Sequence, residues 1–452
     1  MATRDAKNRT TPGVTLLLGL LLLIGAGRFV YALSASSQGW SAVTYMERVY
    51  DGQDRQAAQP SDRERAERRW GPLFLLIMRG AHGLDLSPFA LRLAIRVFLT
   101  AIYVLTVYLL STLFSEPDVC SDRRETIVRR AIVVFLCFQS TAAIYAIANG
   151  MGEVLTAFCV IGHLYYFRRK QYPPAALLLC FGVYFKLYPI VFLFPYVMFS
   201  LLSRDHRPYS GYVLLSALVL ASVSIPVSGW RYGFFYPYAM VRDVTTDTGV
   251  IPIRSKEVFG LLFLVNRVMS SFSVRAAYPD AVAHTKILTS IFAALLIAST
   301  AASAIVLARY EKTWNRDAGK RRIALLVFQS VIGFLIASFS LDMSITLVLP
   351  IMVSVYAPLW LFADPVFTTG KTSAFAFVTF ALFGLGLVLV GNLIPLSMVL
   401  KGLPLAGLDY LAGNAPTDLI PLEKFIWYQV PLLGVSCIGL SAGCSLTTLR
   451  SA

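Results

Sequence analysis

Charge is scarce in this chain. Asp, Glu, Lys and Arg make up 14% of its 452 residues, where a soluble domain carries about a quarter, so no sizeable water-soluble domain is expected. Histidine is rarer still: the four present are widely separated, which argues against histidine-based metal chemistry. Cys120, Cys137, Cys159, Cys180, Cys437 and Cys444 form no C-x-x-C pair and fall mostly within apolar segments. Neither a disulfide framework nor a zinc site is expected from them. A Walker loop and an H-E-x-x-H helix are also lacking, and no cofactor is expected. Nor is a cleavable leader, because the first apolar run, residues 13–34, is long enough to span a bilayer and stay there.

Apolar residues are what the chain has in abundance, at 57%. Long apolar stretches occur near residues 13–34, 86–113, 131–148, 153–167, 174–188, 190–202, 210–228, 285–308, 323–341, 343–363, 374–400 and 426–448. These predict an all-α, polytopic membrane helical bundle of about twelve spans, forming one integral membrane domain over residues 1–452. The net charge of +15 sits in short clusters between spans, so topology explains it and a nucleic-acid partner is not expected. Arg4, Lys7 and Arg9, then Arg129 and Arg130, then Arg168, Arg169 and Lys170, then Arg204 and Arg207, then Lys320, Arg321 and Arg322 fall on one face when spans are counted. The positive-inside rule makes that face cytosolic and places both termini there.

Two long loops then fall on the opposite, outer face. The first covers residues 35–85 and holds six acidic and six basic side chains between Glu47 and Arg69. The second covers residues 229–284 and includes GWRYGFFYPYAMVRD, followed by VFGLLFLVNRVMSSF, which has the character of an interfacial amphipathic helix. Loops of this length in a compact domain are usually functional, so the working face is expected to be the outer one.

Lys186 lies inside the apolar run AALLLCFGVYFKLYPIVFLFPYVMFSLL. An ammonium at the centre of a membrane helix costs roughly 2.5 to 3.5 kcal/mol on insertion scales and is kept mainly where it is used. Pro189 follows closely, so the helix is expected to break just past the charge and form a short broken hairpin. A cation at such a break, flanked by Tyr184 and Tyr188, suits an anion such as a lipid phosphate; the plainer alternative is a lysine snorkelling to an interface. Arg242 in the second outer loop can clamp the same phosphate through its planar guanidinium, with Tyr236, Tyr238 and Asp243 near it in sequence. The alternative there is an interfacial aromatic belt with an exposed Arg–Asp pair.

Carboxylates supply the remaining candidates. Glu47, Asp51 and Asp54 follow the first span, where one of them can take a proton from an attacking hydroxyl; a self-compensating charged loop is the alternative. Glu153, at the outer end of the fourth span, either orients a substrate hydroxyl or favours the start of its helix. Asp342, at an outer turn, either holds sugar hydroxyls or starts the next helix.

In their order, NGMGEVLTAF, a basic turn, and AALLLCFGVYFKLYPIVFLFP resemble glycosyltransferases of GT-C fold that use a polyprenyl-phosphate-linked sugar. The PIG-M family, mannosyltransferases of GPI-anchor synthesis, is similar in its G-x-x-E segment, its F-K-I-Y-P stretch and its aromatic loop ending in R-x-D or R-D. The Lys186–Pro189 hairpin and SKEVFGLLFLVNR also resemble bacterial polyprenol-phosphate mannosyltransferases. The family has an Asp early in the first outer loop, and the alignment places Ser41 there; the D-x-D pattern of PIG-M is missing too. Either the base has moved to Glu47, Asp51 or Asp54, or the alignment is offset, or catalysis has been lost.

The resemblance implies transfer of a hexose, mannose first among them, from a polyprenyl or dolichyl phosphate to a lipid or glycan acceptor on the non-cytosolic face. Asp51 and Glu47 are the candidate catalytic carboxylates. Lys186, Arg242 and Tyr188 are the candidate phosphate ligands, and Glu153, Asp243 and Asp342 the candidate acceptor or sugar ligands. Membrane lipids and a small membrane subunit are the other partners in view. The location implied is the endoplasmic reticulum membrane in a eukaryote or the cytoplasmic membrane in a bacterium. A lipid-linked sugar flippase or secondary transporter is the rival, since transporters also use broken helices and buried charges.

Overall fold

The computed structural model describes residues 71–84, 87–114, 152–186 and 189–247, with isolated positions elsewhere. Every regular element among them is helical: α1 Pro72–His82, α2 Pro88–Phe114, α3 Glu153–Arg168, α4 Tyr172–Phe185, α5 Ile190–Leu202 and α6 Arg207–Asp247. The all-α expectation holds over these residues. The apolar stretches at 86–113, 153–167, 174–188 and 190–202 are helical, as α2 to α5. Among the described residues, two helical stretches, Ala90–Leu113 and Arg207–Pro226, are long and apolar enough to cross a membrane.

Local sequence explains where the helices begin and end. Proline opens α1 and α2, at a position where a missing N–H costs nothing. The hydroxyl of Ser87 accepts a hydrogen bond from the Ala90 N–H at 3.2 Å, capping α2. The turn from α3 to α4 is tight because Lys170 takes a left-handed φ of 58°. That lets the N–H groups of Gln171 and Lys170 reach the carbonyls of Tyr166 and Phe167, each at 2.9 Å. At its far end α4 stops at Phe185, and Lys186 is extended with φ −153° and ψ 126°. Pro189 then serves as the N-cap of α5, so the break expected just past the charge is present.

α4 is the central helix, packed against α1, α3, α5 and α6, while α2 covers the other side of α3. Small residues permit close contact between α3 and α4: a Cβ on Gly162 would come within 2.8 Å of Leu178, and one on Gly182 within 3.1 Å of Cys159. α6 bends sharply at Gly229, whose φ of 75° and ψ of 161° are accessible almost only to glycine. Gly233 consequently lies against the backbone of Ser224 and Ile225, although eight residues of straight helix span about 12 Å. Both expected outer loops therefore carry helix: α1 falls in 35–85, and 230–247 continue α6 beyond the bend. α1 packs against α6. The sequence showed loops there because Gly, Pro and Tyr dilute the apolar pattern of 229–247.

Candidate active site

Antiparallel packing of α3 and α4 sets the start of one level with the end of the other. Glu153, the first residue of α3, thereby meets Lys186, which caps α4, and the lysine ammonium donates to Glu153 Oε1 in an ion pair. The carboxylate lies at the positive end of the α3 dipole and the ammonium at the negative end of the α4 dipole, so each helix favours the charge it carries. Glu153 is 2% exposed and the Lys186 side chain 15%, so the pair is closed on the acid side and opens on the lysine side.

The surroundings hold this end of α4 tightly. The Gly71 N–H donates to the Phe185 carbonyl at 3.2 Å, and a Cβ on Gly71 would collide with the carbonyls of Tyr184 and Phe185. A Cβ on Gly152 would come within 2.5 Å of the Phe185 ring. That ring packs edge-on against Phe74 at 5.4 Å and stacks on Phe181 at 6.1 Å. Tyr236, fully buried on α6 beyond the bend, lies 6.2 Å from Tyr184. Helices α1, α3, α4 and α6 thus converge around Lys186.

The opposite end of the bundle is built differently. Lys170 pairs with Asp205 at 3.1 Å, joining the α3–α4 turn to the α5–α6 turn. Beneath it the Tyr172 hydroxyl donates to the Asp205 carbonyl at 2.9 Å and lies 3.0 Å from His206 Nδ1. Phe167 stacks on His206 and meets Tyr196 and Tyr209 edge-on. Burial, chiefly, and the neighbouring Lys170 ammonium push the His206 pKa down to about 4, against a smaller opposing effect of Asp205.

Of the residues singled out in the sequence, Lys186 and Glu153 are brought together. Arg242 and Asp243 lie on α6 beyond its bend. Glu47, Asp51, Asp54, Tyr188, Asp342 and Ser41 lie outside the described residues. The direct pairing of Glu153 with Lys186 is what the sequence reading missed, treating the lysine as an isolated cation. A signal was available: two helices of similar length joined by a short basic turn must bring a first residue level with a last one. The His206 cluster gave no comparable signal, since its members are scattered from 167 to 209.

Glu153 and Lys186 thus form a buried acid–base pair at a break between apolar helices, and among the described residues two helical stretches are long and apolar enough to cross a bilayer. Residues 146–238 are similar to the family described as Mannosyltransferase (PIG-M). The match covers 93 of the 452 residues and includes Glu153, Lys186 and Tyr236. It supports a membrane glycosyltransferase over the transporter alternative. No curated protein and no solved structure matches the chain.

Proposed function

We propose that this protein is a GT-C type mannosyltransferase of about twelve spans. It moves mannose from a polyprenyl or dolichyl phosphate to a hydroxyl of a lipid or glycan acceptor on the non-cytosolic face. The step is an inverting displacement. The acceptor oxygen bonds to the sugar C1, the bond from C1 to the phosphate oxygen breaks, and the bonding pair leaves with the polyprenyl phosphate. The acceptor proton passes to a carboxylate of the first outer loop, Asp51 or Glu47. Lys186, with Arg242 and Tyr188, stabilises the negative charge that develops on the leaving phosphate. Asp243 and Asp342 hold sugar or acceptor hydroxyls, and Glu153 pairs with Lys186.

The observation that carries this reading is the placement of Lys186. It sits within the PIG-M-like segment, at the end of α4 beside the break before α5, with its side chain partly exposed. The outer-face orientation follows from the basic clusters, and with it both termini are cytosolic. The PIG-M likeness supports a place in GPI-anchor synthesis in an endoplasmic reticulum membrane; a bacterial chain would do the same chemistry in the cytoplasmic membrane.

The test is transfer by the purified protein in detergent, using radiolabelled dolichyl-phosphate mannose and a membrane lipid extract as acceptor. Activity should persist without a sealed compartment and fall at least 100-fold, on the order of one well-placed charge stabilisation, in Lys186→Gln. Donor movement that needs sealed vesicles, with no transfer in micelles, would refute the enzyme reading.

A further inference from the structure

We infer that Glu153 is a positioning residue that competes with the donor's phosphate for Lys186 and so sets how tightly the polyprenyl phosphate is held. The inference rests on the proposed role of Lys186 and adds a function for its buried partner. A buried ion pair is a poor device for stability alone, since well-packed apolar side chains of similar size often do as well or better. Nothing about the helix ends demands a charge either: Lys186 is already extended, and its backbone N–H is satisfied by the Gly182 carbonyl at 2.8 Å. The pair therefore calls for a use.

Its asymmetry indicates which partner a ligand reaches. With Glu153 at 2% exposure and the Lys186 side chain at 15%, an incoming anion reaches the lysine side chain before the carboxylate. An ammonium has three N–H donors, so a phosphate can engage Lys186 before Glu153 lets go. Two anions then share one cation in a poorly screened setting, and each weakens the hold of the other. Glu153 can bear this because the positive end of α3 continues to favour its charge when the lysine is drawn away.

The consequence is kinetic. The leaving group of the proposed reaction is a polyprenyl phosphate anion, which must depart before the next donor enters. A bare lysine at a closed helix junction would hold it; a lysine with a carboxylate waiting to reclaim it releases it. Glu153 thus trades donor affinity for turnover, which a purely structural ion pair would not do.

Farnesyl monophosphate, a short polyprenyl phosphate without a sugar, is the probe, titrated calorimetrically into the full-length protein in detergent. Glu153→Gln removes the competing charge and should bind it on the order of tenfold tighter. Glu153→Asp, which keeps the charge but draws it back by one methylene, should fall between and carries the comparison if the glutamine variant is poorly folded. In turnover, Glu153→Gln should lower both kcat and the KM for donor, with product inhibition at lower farnesyl phosphate. If both Glu153 variants bind no tighter than the wild type while Lys186→Gln has lost binding, the competition is refuted and the phosphate role of Lys186 stands. If Lys186→Gln binds as the wild type does, the role of Lys186 falls and the competition with it.

Discussion

Replacing Gly152 by alanine perturbs the site without touching either charge. The added Cβ would lie 2.5 Å from Phe185 Cε1 and 2.8 Å from Cζ, so relief needs a shift of about 1 Å before ordinary contact distances return. The ring has little freedom to give way, being buried and packed between Phe74 and Phe181. Either Phe185 moves, carrying the adjacent Lys186, or the start of α3 moves, carrying Glu153. Overpacking of this kind costs about 1–3 kcal/mol, and misplacing a catalytic group by about 1 Å can cost on the order of 100-fold in rate. Gly211→Ala is the control, because nothing lies within 4 Å of its added Cβ and a helical Gly→Ala change stabilises by about 0.5–1 kcal/mol. Thermal unfolding in detergent should thus shift in opposite directions in the two alanine variants, and mannose transfer should fall in Gly152→Ala alone. Phe185→Leu in the Gly152→Ala background, by removing the ring edge, should restore part of the loss. Equal stability and equal transfer in the two single variants would show that the junction around Lys186 is not tightly set.

Three further predictions use other parts of the molecule. Asp51→Asn should lower transfer by about 10²–10⁴-fold if Asp51 is the base, and full activity in Asp51→Asn, Glu47→Gln and Asp54→Asn alike would place the base outside this loop. Because burial holds the folded-state pKa of His206 near 4, below its usual 6.5, the unfolded chain binds more protons between those values. This contribution to stability is complete above about pH 6.5 and is lost as pH falls towards 4; melting temperatures from pH 7.5 to 4.5 should show a shallower decline in His206→Gln, and an unchanged slope would contradict the assignment. Tyr172→Phe removes the hydroxyl shared by the Asp205 carbonyl and His206 and should destabilise by about 1–3 kcal/mol, measurable by thermal unfolding.

Much of the helical layout was legible because apolar run length and punctuation are strong signals. Pro72, Pro88 and the Pro173–Pro174 pair open helices, and Pro189 follows a break, as their chemistry requires. Lys186 stood out because a charge in an apolar run is costly. Its partner did not stand out, because 33 residues separate the two and the register of α3 on α4 depends on contacts such as Gly162 with Leu178. Residues 229–247 read as loop since a helix that doubles back at one glycine has no continuous periodicity to detect. The aromatic packing around His206 was hidden for a related reason: it joins residues of α3, α4, α5 and α6 to the α5–α6 turn, and composition records none of that geometry.

The separation of Glu153 and Lys186 along the chain also bears on biosynthesis. Translation at about 5–20 residues per second means that the lysine is added roughly 2–7 s after the glutamate, which is 33 residues nearer the N-terminus. During that interval the carboxylate has no ammonium to meet and would be stranded if α3 entered the lipid alone. The economical order is for α3 to wait at the translocon until α4 has emerged, and for the two to enter as one neutralised hairpin. A mutation that removes the lysine would then first be felt at the ribosome-bound stage, as a delay in insertion, before any substrate is encountered.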